Sequence, residues 1–171
     1  MKIAGAILAT VIALALQTTI ARFAIRGTVA LDLLLVVVVY VALRGGPTVG
    51  LLTGTFAGLV QDSVASATGV IGIGGLAKTI VGYVVGLIGR QFIVAEPLPR
   101  FVVFFAATVV HELTFMGLYA VLGLRHFDAP YAAVAGQALG NSVVGIVAFQ
   151  VAELLPGAVE RRRAAKTRVR R

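Results

Sequence analysis

Six long apolar stretches, parted by short clusters of charge, glycine or proline, take up most of the chain. They run from Ile3 to Ala21, Thr28 to Leu43, Thr48 to Ala65, Val70 to Gly89, Phe101 to Gly123 and Tyr131 to Leu155. A helix needs about 20 such residues to cross roughly 30 Å of hydrocarbon, so each stretch predicts one membrane-spanning helix. All five prolines, Pro47, Pro97, Pro99, Pro130 and Pro156, fall at the ends of these stretches. Proline lacks the N–H that a helix interior needs, so their placement supports the same boundaries. The predicted fold class is all-α: an integral membrane bundle of six helices over residues 1–157, followed by a basic tail at 158–171. Gly69, Gly72, Gly74 and Gly75 crowd the start of the fourth stretch, and each lowers helix propensity by about 1 kcal/mol. Whether that helix begins as broken backbone stays open. A break would place it inside the bundle, where protein can satisfy exposed backbone groups.

Composition sharpens this reading. Of 171 residues, 59% are apolar and 13% charged, and the mean hydropathy of +1.00 lies far above that of a water-soluble domain. The absence of cysteine excludes disulfides, thiolate metal sites and a cysteine nucleophile. Lys2 ahead of an apolar run and the small residues Ala13-Leu14-Ala15 resemble a signal peptide with its cleavage site. The run from Ile3 to Ile20 is long for a signal core, so an uncleaved first span is expected.

Charge then orients the bundle. With both termini inside, the cytoplasmic side would hold Lys2, Arg44, Arg90, Arg100 and seven tail residues, against Arg22, Arg26 and Arg125 outside. This asymmetry predicts cytoplasmic termini. The tail residues Arg161, Arg162, Arg163, Lys166 and Arg168 read as a topology determinant that touches anionic lipid, or as a contact for a cytoplasmic protein. Nucleic acid is not expected, because no aromatic platform accompanies the charge.

Small residues recur at helical spacing: Gly50, Gly54 and Gly58; Gly82 and Gly86; Gly136 and Gly140; Gly5, Ala9 and Ala13. Such faces let backbones approach closely in lipid, within one bundle or against another membrane protein. Ionisable groups inside spans carry a sharper signal, since a Lys or Asp at mid-bilayer costs about 3 kcal/mol even on lenient scales. Lys78 lies four residues from both Gly74 and Gly82 and so on a small, sheltered face. Counting the helical rise from each span end puts Lys78, Glu112 and Asn141 roughly 12 to 17 Å below the outer surface. A buried Lys78–Glu112 pair is therefore predicted, with Gln137 and Asn141 supplying neutral hydrogen bonds.

The competing reading of this cluster is a proton or ion relay that includes His111. Adjacent helix positions point about 100° apart, so His111 and Glu112 need not share a site. Asp62 continues the glycine series of the third stretch, and Asp32 and Gln17 fall at similar shallow depths. These groups read either as solvated or capping residues, or as a polar cluster that braces the outer face or meets a partner, with Arg22 nearby. No phosphate-binding loop, nucleophile elbow or HExxH motif is present, so no enzymatic activity, metal or cofactor is expected.

Several stretches together resemble the rod-shape-determining MreD family of bacteria. They are LQTTIARF (Leu16 to Phe23), ALDLLLVVVVYVALRGGPTVGLLTGTFAGLVQDSV (Ala30 to Val64) and GVIGIGGLAKTIVGYVVGLIG (Gly69 to Gly89). Within them stand Asp32 before an apolar run, Arg44-Gly45-Gly46-Pro47 at a turn, and Gly54, Gly58 and Asp62 along the next helix. The resemblance implies a non-enzymatic subunit of the elongation machinery in the bacterial cytoplasmic membrane, supporting rod shape and lateral peptidoglycan synthesis. Its implied partners are an MreC-like bitopic membrane protein, RodA with its penicillin-binding transpeptidase, and the MreB cytoskeleton. Gly50, Gly54, Gly58 and Asp62 are the matched positions for helix-face recognition. The long arginine tail and Lys78 depart from the commonest pattern. The family is also similar in fold to the substrate-binding membrane subunits of energy-coupling-factor vitamin importers. Such an importer subunit is the alternative function, with Gly5, Ala9 and Ala13 as the face that would meet a coupling subunit.

Overall fold

The computed structural model describes residues 3–23, 31–65, 70–92, 96–124, 127 and 131–169, with side chains described through residue 154 apart from 3, 4, 20–23 and 65. Six helices follow in order: α1 (Ile3–Phe23), α2 (Leu33–Gly45), α3 (Pro47–Ala65), α4 (Ile73–Gln91), α5 (Pro97–Val121) and α6 (Tyr131–Val169). No strand occurs among the described residues. Helices α4, α5 and the Tyr131–Leu154 part of α6 are long and apolar enough to cross a membrane. Large apolar side chains face outward, among them Leu8, Val11 and Leu16 on α1 and Leu139, Val143 and Val147 on α6. In water this surface would be untenable; in hydrocarbon it is the expected one.

Helices α3 and α4 run antiparallel with their backbones nearly touching. A Cβ added to Gly50 would overlap the Gly82 carbonyl oxygen, one on Gly82 would overlap that of Gly50, and one on Gly54 would overlap the carbonyl of Lys78. Only glycine permits such an approach. Thr55 and Thr79 bridge the same seam at 2.8 Å. Against it pack Leu35, Val39 and Ala42 of α2, Val81 and Val85 of α4, Phe104 and Ala107 of α5, and Phe149 of α6, forming the main core. A smaller cluster joins Ala13, Leu34, Val38 and Ala57.

Two boundaries differ markedly from those predicted, and the others shift by at most four residues. Helix α2 spans 13 residues, about 20 Å by its rise, shorter than a layer of roughly 30 Å. Helix α6 continues through Pro156 to Val169, whereas that proline was expected at a helix end. Beyond it the sequence is rich in Arg and Ala, strong helix formers that favour continuation despite one lost backbone bond. Pro97 and Pro99 stand in the first turn of α5, where the missing N–H groups are not needed.

Candidate functional site

The first turn of a helix leaves four N–H groups without a partner inside the helix. At the start of α2 every one has a side-chain acceptor. Asp32 N donates to Asn141 Oδ1 (3.0 Å), and Leu33 N and Leu34 N donate to Gln17 Oε1 (3.0 and 3.4 Å). Leu35 N donates to Asp32 Oδ1 at 2.9 Å. The next amide, Val36 N, already bonds the Asp32 carbonyl. Asp32 is thus an N-cap, with help from α1 and α6. The start of α4 is handled similarly, since Gly72 N and Gly75 N donate to Asp62 Oδ2 of α3 at 2.8 and 3.2 Å.

The second oxygen of Asp32 accepts from Lys78 Nζ at 2.5 Å, with side-chain exposures of 7% and 2%. The ammonium also lies 3.1 Å from His111 Nε2. Nδ1 faces Glu112 Oε1 at 3.2 Å, which takes a further bond from Gln137 Nε2 at 2.7 Å. Asn141 completes the network by donating to Thr108 Oγ1 at 3.3 Å. A continuous set of polar contacts therefore links Asp32, Lys78, His111, Glu112 and Gln137, with Lys78 donating to Asp32 and Gln137 donating to Glu112.

The predicted direct Lys78–Glu112 pair does not form. Lys78 takes Asp32 as its carboxylate because α2 starts late enough to bring that cap beside α4, and His111 stands between Lys78 and Glu112. His111 and Glu112, neighbours that need not share a site, both turn their side chains to the same network. The glycine-lined face of Lys78 holds only its backbone, resting on Gly54; the side chain projects toward α2 and α5. Gln17, Asp32 and Gln61 join Asp62, Gly74, Lys78, Glu112, Phe115 and Gln137 around one cavity of about 210 Å³.

Gly50, Gly54 and Gly58 face α4 within the same chain, Gly58 against Gly75. The side chains of Arg22, Arg161, Arg162, Arg163, Lys166 and Arg168 lie outside the described residues. At the opposite end of the bundle stands a second charged cluster that sequence reasoning missed. Glu153 Oε1 accepts from Arg44 (3.0 Å) and Arg100 (2.8 Å), and the Arg100 guanidinium carbon lies 4.0 Å from the Phe149 ring centre. The available signal was a lone carboxylate near the end of the sixth apolar stretch. Among the described residues no three His, Cys, Asp or Glu are grouped to hold a metal ion.

What the arrangement does chemically is seat helix ends at membrane depth and neutralise one buried lysine. A family model of the rod shape-determining protein MreD matches residues 2–155. The chain belongs to the MreD family. Comparison with curated proteins and with solved structures gives no match, so the likeness to importer subunits rests on the sequence resemblance alone. Membership in the MreD family makes this a cell-shape-determining membrane protein.

Proposed function

We propose that this MreD-family chain is a non-enzymatic scaffold subunit of the elongation machinery in the bacterial inner membrane. It binds an MreC-like bitopic protein and, directly or through it, supports RodA, its penicillin-binding transpeptidase and MreB in lateral peptidoglycan synthesis. The observation that carries this reading is the family match over residues 2–155. The bonding of the polar groups agrees with it: they are engaged in capping α2 and α4, which leaves apolar helix faces for contacts in the bilayer. Both termini face the cytoplasm in this reading, and the arginine tail lies against anionic lipid.

Mild detergent extraction from the native host, with an affinity tag on this chain, tests the proposal. An MreC-like protein should co-purify at a stoichiometric level. Recovery of the tagged chain without it would remove the scaffold reading. The vitamin-importer alternative stands second, because the family match over residues 2–155 is to MreD.

A further inference from the structure

Four ionisable side chains of the capping network join three helices: Asp32 at the start of α2, Lys78 on α4, and His111 and Glu112 on α5. Their central contact, Lys78 Nζ to His111 Nε2 at 3.1 Å, depends on how many protons the pair holds. A hydrogen bond needs a lone pair on one side, and neither an ammonium nor a fully protonated imidazole offers one. Whatever the tautomer, Lys78 and His111 together hold at least one proton fewer than they could carry. With that one proton missing and both carboxylates ionised, the four groups bear one net negative charge, which the proton would cancel. The other elements around His111 supply no second cation among the described residues. Asp62 of α3 lies across the cavity and accepts from the amides that open α4, while Gln17 of α1 and Gln137 and Asn141 of α6 are neutral. His111 and Glu112 line the cavity themselves, and its polar walls and volume admit water, which delivers protons.

An added proton would leave Nζ and Nε2 as two donors facing each other, and like charges that close repel. Each has a carboxylate on its other side. Lys78 keeps Asp32 Oδ2, and His111 Nδ1 stands 3.2 Å from Glu112 Oε1. The network then divides into two neutral pairs, one joining α2 to α4 and one wholly within α5, and the polar tie between α4 and α5 is gone. The rest of that seam is apolar and incompletely closed: Val84 and Ile88 of α4 and Val102 and Val110 of α5 line a groove of about 230 Å³. Helices α3 and α4, by contrast, meet backbone to backbone through Gly50, Gly54 and Gly82. A pair of helices with a groove between them parts more readily than one in such contact.

We propose that the Lys78–His111 contact is a proton-operated latch between α4 and α5. One proton passes from water in the cavity to the nitrogen of the pair that holds the lone pair; His111 then pairs with Glu112 alone, and α5 moves away from α4. Loss of the proton restores the contact. No bond between heavy atoms forms or breaks. The latch is closed at high pH and released as pH falls through the titration of the pair. Asn141, bonded to Asp32 N and to Thr108, keeps α5 and α6 tethered to the start of α2 in both forms.

The test uses the purified full chain in lipid nanodiscs between about pH 8 and pH 5, a range that brackets the ordinary histidine value near 6.5. The chain has two histidines and no cysteine, so His126→Gln leaves His111 as the sole imidazole, and Leu76→Cys with Leu113→Cys, both exposed positions, give one spin-label pair across α4 and α5. Nitrogen NMR of labelled histidine should show His111 gaining a proton as pH falls. The distance between the labels should lengthen in step by about 2 Å, the scale of a helix shift at an interface. In His111→Gln the side-chain amide still offers Lys78 an acceptor oxygen but takes up no proton, so the distance should stay short throughout. A His111 ring that keeps one protonation state over the whole range, a ring that titrates while the distance stands still, or the same lengthening in His111→Gln would overturn the proposal. If His111→Gln does not fold, the first two readouts decide. Because no partner protein is present, the outcome is independent of whether an MreC-like protein co-purifies.

Discussion

The two ends of the bundle hold their charges by opposite means. At one end Lys78 and Asp32 are almost wholly enclosed, with 2% and 7% side-chain exposure, and the carboxylate also caps α2. At the other, Glu153 is 41% exposed and shared by two arginines, one buried to 7% and one exposed at 45%. The enclosed pair is coupled to helix geometry: moving either partner disturbs the start of α2, His111 and the reach of Gln137. The open cluster is redundant, since either arginine can neutralise Glu153 and the guanidinium of Arg100 also rests on Phe149. Enclosure makes a charge pair costly to break, and redundancy makes it cheap.

The largest effect should therefore come from Lys78→Ala. Removing the ammonium leaves Asp32 charged and enclosed, at a cost of about 3–5 kcal/mol, read as a fall in the unfolding midpoint in a detergent titration. A loss under about 1 kcal/mol would put the enclosed end on a par with the open one and end the comparison. Next comes Gln17→Leu, which removes the acceptor of Leu33 N and Leu34 N. Two part-buried donors then lack partners, for a loss of about 1–3 kcal/mol, with amide exchange rising first at residues 33 and 34. A double-mutant cycle with Lys78→Met and Asp32→Asn sharpens the point. Asparagine still caps a helix, so on that background Lys78→Met should cost less than alone, with a coupling of about 1–3 kcal/mol.

How much of this was legible follows from what hydropathy registers. Lys78 had to turn toward protein because of the price of a charge in hydrocarbon, and the rise per residue put it level with Glu112 and Asn141. Its partner was misassigned because the apolar residues from Thr28 to Leu31 extend the second stretch whether or not they are helical. Only the structure shows α2 starting at Leu33, which selects the capping reading of Asp32 and sets its other oxygen beside Lys78. The fourfold spacing of Gly50, Gly54 and Gly58 marks a close-packing face without saying which helix fills it; α4 does. The angle between neighbouring positions left open whether His111 and Glu112 share a site, because Cβ directions do not say how far an imidazole and a carboxylate fold back to meet. The Arg44, Arg100 and Glu153 cluster joins residues far apart in the chain near span ends, where charges are unremarkable individually.

The smallest effect should be that of Arg44→Ala. Its bond to Glu153 is 3.0 Å long but exposed on both sides, and exposed pairs contribute about 0–1 kcal/mol. Its stacking distances of 5.1 Å to Phe149 and 5.9 Å to Tyr40 add little. Arg100→Ala at the same carboxylate should cost more, because Arg100 is buried, meets both Glu153 oxygens and lies closer to Phe149. Raising the salt concentration separates the contributions: the Arg44 effect should fade as screening grows, while the Arg100 effect, resting on enclosed contacts, should persist. Equal losses for the two arginines, both insensitive to salt, would mean that Glu153 is held as rigidly as Asp32 and that enclosure is not what distinguishes the two ends.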